Sequence, residues 1–468
     1  MMRRFWIGMP IVLVLTGLGV VDRLSPAKAP LPALVRPSRA GGVWACPVVK
    51  LDGAGGFLHL ANTGSGPSTV RITYVPDGRK PIERAITLAE GHAATVGTPG
   101  GLLRAAAGAI VQYAGGSVAV SRTAFFGGGA GAAPCSRPGP ATLVVPQGST
   151  LKADTQLVIM NPTAADATVD VALLVNGQQL RPQLLTGRVV PAGSRLVVRE
   201  GDFSFDARAT AAMITAEAGR VVVDGTFTAV GTVDIIPAVP ATREVATVAS
   251  TARGAALFSV VAIGENDAVT AARLLTAQGP TTFGPLVTGL PPDKPLVSAA
   301  AAEKPGAIAL HVVSSTSPVA ISARWQIATR NGSSEWAVSA GVQPSRDVVA
   351  LLGPPAAPPA MRILITNPDP TEATIGVTIL TESGPAEPQT LQGVRLAPGR
   401  SVGLSIAGVP ATSTVGVVIH SKGARIVAAL EATTAVPLYA AYAVTAIPIV
   451  ATPRVAVVPD PRQGVPAP

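Results

Sequence analysis

Apolar and polar positions alternate along this chain in short runs that stop at turn residues, and the runs return in the same order. Arg362–Thr366 is one such run, closed by Asn367-Pro368; Ala373–Leu380 follows and ends at Ser383-Gly384-Pro385. The same phrase occurs earlier as Leu157–Met160, Asn161-Pro162 and Ala167–Leu174 before Asn176-Gly177, and more loosely as Leu58–Ala61, Asn62-Thr63 and Ser68–Val75. Alternation over four to eight residues, bounded by Asn, Pro and Gly, is the pattern of a half-buried strand. Asn can hydrogen-bond its own backbone two residues on, and Pro pre-sets φ for the next turn position. The Asn-Pro pairs are therefore structural stops.

A second mark closes each repeat. Ala109–Tyr113 meets Gly115-Gly116 and then Ser117–Ser121; Ala211–Ala216 turns at Gly219 into Arg220–Asp224. Ile308–Val313 and Val319–Ala323, and Val415–His420 and Arg425–Leu430, have the same form. Glycine between two apolar runs permits the positive φ of a tight hairpin. The Asn residues recur every hundred positions or so, with about seven strand-like runs per repeat, which is the pattern of an immunoglobulin-like sandwich. Propeller blades repeat every ~40–50 residues, and nothing here recurs at half the period.

The expected fold is thus all-β: tandem immunoglobulin-like β-sandwich domains, as beads on a string, after an N-terminal transmembrane or signal helix. The expected boundaries are 1–23 for that segment, 24–41 for a Pro/Ala linker, and 42–140, 141–244 and 245–346 for three sandwiches. A Pro-rich spacer at 347–358, a fourth sandwich at 359–450 and a disordered tail at 451–468 complete the expectation. The third unit diverges most, with Gly264-Glu265-Asn266-Asp267 where the others have their Asn turn.

Composition supports cores of small side chains. Apolar residues make up 48% of the chain and aromatics only 4%, and 49 Gly with 44 Pro favour short strands and turns over long helices. Arg3 and Arg4 precede an uncharged apolar run, Phe5–Val21, that ends at Asp22-Arg23. Positive residues stay on the cytoplasmic side, so the rest of the chain is expected outside the membrane, tethered by this segment. Removal of the segment would make it a secreted protein. Cleavage after Ala29 is opposed by Pro30.

Cys46 and Cys135 are the two cysteines and bracket the first repeat. An exported chain meets oxidising conditions, so a disulfide between them is expected. The net charge of +9 comes from scattered arginines, without a basic stripe or interleaved aromatics, which argues against nucleic acid. Envelope proteins or wall polymers are the expected partners.

An Arg-led apolar segment, Cys46-Pro47 beyond it, and repeated strand–Asn–Pro units give the chain a likeness. It resembles exported actinobacterial proteins grouped as domain of unknown function 5719. The resemblance implies an envelope location and brings with it no activity and no site residues.

Chemistry is sparse. His59, His92, His311 and His420 are not at metal spacing. Gly127–Gly131 lacks the Lys-Ser/Thr of a phosphate loop and reads as a tether before Cys135. Asp202 and Asp206 flank two phenylalanines, expected buried, with too few further acidic groups for calcium. Trp325 and Trp336 are the candidates for stacking on a sugar ring. No cofactor, metal or catalytic constellation is expected. The functional expectation is a non-catalytic structural or interaction protein of the cell envelope, the alternative a cell-wall polysaccharide-binding protein.

Overall fold

The computed structural model describes residues 41–449 except 54, 103–104, 127–128, 230–231, 287–288, 293, 329–333, 354–359, 407–414 and 434–440. The N-terminal apolar segment, residues 24–40 of the linker, residues 354–358 of the Pro-rich spacer and the C-terminal tail lie outside the described residues. No helix among those described is long and apolar enough to cross a membrane.

In the first unit the strands are β1 (Gly41–Lys50), β2 (Gly56–Asn62), β3 (Ser68–Pro76), β4 (Ile82–Leu88), β5 (Ala93–Gly97), β6 (Ala107–Ala114), β7 (Val118–Phe126) and β8 (Gly129–Pro134). They form two antiparallel sheets, ordered β1-β6-β3-β4 and β5-β2-β7-β8. The inward residues of both sheets, among them Trp44, Leu58, Leu60, Ile72, Tyr74, Val111 and Val120, make one core. Three further units, spanning 142–237, 244–340 and 347–445, repeat the same order, with short extra strands at some edges. The protein is all-β, as the alternation predicts.

Two expectations change. The closing pairs are not hairpins. β6 pairs with β1 and β3, and β7 with β2 and β8, so the chain crosses from one sheet to the other at Gly115-Gly116. Both glycines have positive φ, +80° and +58°. A Cβ on Gly116 would lie 2.3 Å from the Ser68 hydroxyl. Hairpin and crossover make the same local demand; only the facing sheet distinguishes them.

The units are not beads on a string either. Each unit's first strand packs against the second and seventh strands of the next, and the fourth unit's, Asp347–Leu352, packs back on β2 and β7. The eighth strands, β8, Thr232–Pro237, Ser334–Ala340 and Ala441–Thr445, touch in a closed cycle. They leave no room for a water molecule among Ala130, Gly131, Ile235, Ala337 and Ala443. Such an approach needs small residues, and β8 reads GAGAAP with every position buried. The stretch expected as a tether before Cys135 is thus, from Gly129 on, the innermost strand. Asp347–Leu352 also pairs with Val415–Lys422 in the fourth unit's sheet, so that unit begins ahead of the Pro-rich stretch.

Candidate functional site

After its eighth strand each chain segment crosses back to its own first sheet. Ser136, Val239 and Val342 each make a reciprocal pair of backbone hydrogen bonds, with Ala45, Val144 and Ala246. In the fourth unit Ile447 pairs with Val349. These exits stand side by side around the ring of eighth strands and enclose a cleft of about 410 Å³. Its walls come from all four units: Trp44 and Pro134–Pro140; Leu143, Val222, Val223 and Pro237–Pro240; Val245 and Ala340–Gln343; Thr445, Ile447 and Pro448. This volume is within the range used by small-molecule sites.

The lining is apolar with one charged side chain, Arg137. Its guanidinium lies over the Trp44 ring, 4.6 Å from the centroid, and donates to the Tyr113 hydroxyl at 3.3 Å. The Trp44 indole N–H is spent on the Val118 carbonyl at 2.7 Å, which fixes the ring under the arginine. Cys135 of the cleft wall is bridged to Cys46, with Cα atoms 4.8 Å apart, and both are buried. No direct sign of the cleft is legible in the sequence. Its one signal is the Pro and small-residue bias of the segments that follow each eighth strand.

The other candidate residues do not converge. Trp325 is fully buried, and its indole N–H donates to Glu431 Oε1 at 2.6 Å, across the joint between the third and fourth units. With no exposed ring area it cannot stack on a sugar. Trp336 is half-buried, and Arg324 covers one of its faces at 4.4 Å from the centroid. The same guanidinium lies 4.2 Å from the Phe227 centroid and pairs with Asp234 at 2.8 Å. Trp325 therefore serves a joint between units, a correction to the stacking expectation for that residue, and Trp336 has one face taken by Arg324.

His59 is buried and hydrogen-bonded to Thr95 and Thr123, and burial lowers its pKa to about 3. His311 lies 3.4 Å from Glu244, His420 lies 2.8 Å from Asp347, and His92 faces the Glu90 carbonyl at 2.7 Å. No group of three or more His, Cys, Asp or Glu that could hold a metal occurs among the described residues. Of the two phenylalanines near Asp202 and Asp206, Phe203 packs against the core whereas Phe205 is 83% exposed. The expectation that both are buried is corrected.

Sequence reasoning missed the charges buried between units. Arg122 on β7 and Asp224 of the second unit are both inaccessible and meet at 2.5 Å; Arg122 also donates to the Pro134 carbonyl, and Asp224 accepts from the Val48 N–H. Burial raises the Asp224 carboxyl, and Arg122 opposes the rise. Their signal was present: one charge inside an otherwise apolar strand, as in VAVSRTAFF and VVDGTFTA.

Comparison with known proteins places part of this chain. Residues 291–464 match a family of unknown function, DUF5719. The match starts inside the third unit and takes in the fourth. No curated protein matches the sequence. Among solved structures, an anti-sigma factor domain-containing protein aligns at 8% identity over 81% of this chain and 96% of its own, with a TM-score of 0.14. An anti-sigma factor domain-containing protein from Clostridium clariflavum aligns at 9% identity over 80% and 98%, with a TM-score of 0.12. At these scores neither fold nor function is carried across.

Proposed function

We propose that this chain is a non-catalytic interaction protein of the cell envelope, held outside the cytoplasmic membrane by its N-terminal apolar segment. Its axial cleft is the surface through which it engages what it binds. The observation that supports this reading is the cleft's lining: among the described residues, apolar walls from four units and one arginine, with no carboxylate or imidazole to move a proton. A site of this kind retains a ligand but offers no general acid–base pair. The buried disulfide suits an oxidising compartment. Each unit keeps the pairing of second with fifth strand and of third with sixth found in immunoglobulin-like sandwiches. It differs in placing the first strand beside the sixth and the seventh beside the second.

The test is a photo-crosslinking residue placed at Gln343, which is exposed at the cleft, and separately at Val313, which is exposed on the strand Ala307–Ser314 of the third unit and does not line the cleft. Cells carrying the Gln343 probe are expected to yield discrete crosslinked envelope products that the Val313 probe does not. Identical products from both positions would sink the assignment to the cleft. Recovery of the chain from the cytoplasmic fraction would sink the envelope reading.

A further inference from the structure

We infer that the axial cleft binds a single-chain anionic amphiphile, with the apolar tail between the unit exits and the acidic head on Arg137. This deepens the binding role proposed above and rests on it. Three observations on the walls select this chemistry.

The first is a shortage of donors. A peptide held in a groove needs wall N–H and C=O groups for its own backbone. Here the N–H and C=O of Ser136, Val239 and Val342 are already exchanged with the first strands. Cys135, Ala238, Gly341 and Ala446 donate to Val120, Val223, Ile321 and Ala428 in their own units. The prolines of the lining have no N–H at all. Such walls suit a ligand that asks for no hydrogen bonds along its length, as an acyl chain does.

The second is size. A cleft of about 410 Å³ lies at the small end of the range for ligand sites. It suits one hydrocarbon chain better than a folded partner element.

The third is charge. Arg137 is exposed at the edge of the cleft, and no described carboxylate stands within ion-pair distance of it. Trp44 and Tyr113 hold the guanidinium in place from one side. Its remaining N–H groups are a fork for a carboxylate or phosphate head.

The test uses the full chain and a fluorescent fatty-acid probe, dansyl-undecanoic acid, titrated to saturation. Unlabelled dodecanoate, dodecyl phosphate, dodecanol and an eight-residue proline-rich peptide serve as competitors. One-to-one saturable binding is expected, displaced by dodecanoate and dodecyl phosphate at least tenfold better than by dodecanol, and not by the peptide. The ratio of dodecanoate to dodecyl phosphate distinguishes a fatty acid from a phospholipid-type head. Arg137→Gln is expected to bring dodecanoate and dodecanol within about threefold of each other while the probe still binds, as loss of a charged hydrogen-bond partner implies. Gln343→Trp, a larger side chain at an exposed position of the cleft wall, is expected to weaken probe binding at least tenfold with an unchanged circular-dichroism spectrum.

Absence of saturable binding by the native chain would overturn the inference. So would unchanged binding in folded Gln343→Trp, or displacement by the peptide alone. Crosslinked products at Gln343 together with no amphiphile binding would leave the interaction role standing and remove only this ligand.

Discussion

Glu200 is the residue whose burial has the clearest consequence in solution. It is 1% exposed, it accepts from the Thr210 hydroxyl at 2.5 Å, and burial raises its pKa from 4.5 to about 7. Between these values the unfolded chain has released the proton and the folded chain still holds it. Raising the pH through that window therefore costs stability, by about 3 kcal/mol in full. Glu200→Gln keeps an acceptor for Thr210 without the charge. It is expected to match the native chain in urea unfolding at pH 4.5 and to exceed it by up to about 3 kcal/mol at pH 8. An equal difference at both pH values would show that ionisation is not the cause. His59 acts with the opposite sign, since its folded pKa of about 3 lies below 6.5. Its contribution grows as pH rises through that interval and cancels in the comparison.

At the scale of elements, the Asn turns are ties rather than simple stops. The Asn367 amide donates to Thr371 O at 2.7 Å and Leu396 O at 3.0 Å, while its Oδ1 accepts from the Asp369 N–H at 3.1 Å. Asn161 does the same with Ala165 O, Val190 O and the Thr163 N–H, and Asn62 with Gly66 O, Leu88 O and the Gly64 N–H. One buried amide thus joins the turn to the end of a strand about thirty residues on. The third unit has no Asn here and ties its loop from the other side, with Ser317 donating to Asn266 O and Thr316 to Asp267 O. Asn367→Ala strands buried carbonyls and is expected to cost roughly 1–3 kcal/mol. Thr316→Ala, at a more exposed tie, is expected to cost less. Equal losses in thermal denaturation would contradict this account.

At the scale of the whole ring, the joints decide how the protein unfolds. Small apolar clusters fill them: Ala61, Ala119, Val349 and Leu351 between the first and fourth units, and Val144, Leu174, Val261 and Ala320 between the second and third. The Ser121 hydroxyl donates to the Leu351 carbonyl at 2.7 Å across the joint that no short chain segment links. Gly353 sits there against the His59 ring, with space for no Cβ. Units that share buried surface on two sides lose it when a neighbour unfolds. Differential scanning calorimetry is therefore expected to show one dominant transition for the described body, with equal calorimetric and van't Hoff enthalpies. Four separable transitions would mean the joints are weak. Arg122 and Asp224 sharpen the expectation, because exposing one partner without the other leaves a buried charge unpaired.

The sequence by itself determined what local patterning can determine. Alternation over Ser68–Pro76 and Ala373–Thr381 specifies strands because side chains on a pleat point alternately to two environments. The Asn-Pro turns, the repeat and the cysteine pair followed from the same kind of reading. What only the tertiary structure decided is what faces what. Gly115-Gly116 serves a hairpin and a sheet-to-sheet crossover equally well, so the two strands' partners were not in the local pattern. GAGAAP carries no strong strand propensity; it is a strand because four strands meet there and its small side chains let them approach. The closed ring, the buried ion pairs and the axial cleft all arise from contacts between units far apart in sequence. A period of a hundred residues says that units repeat, whereas their joining surfaces say that the series closes.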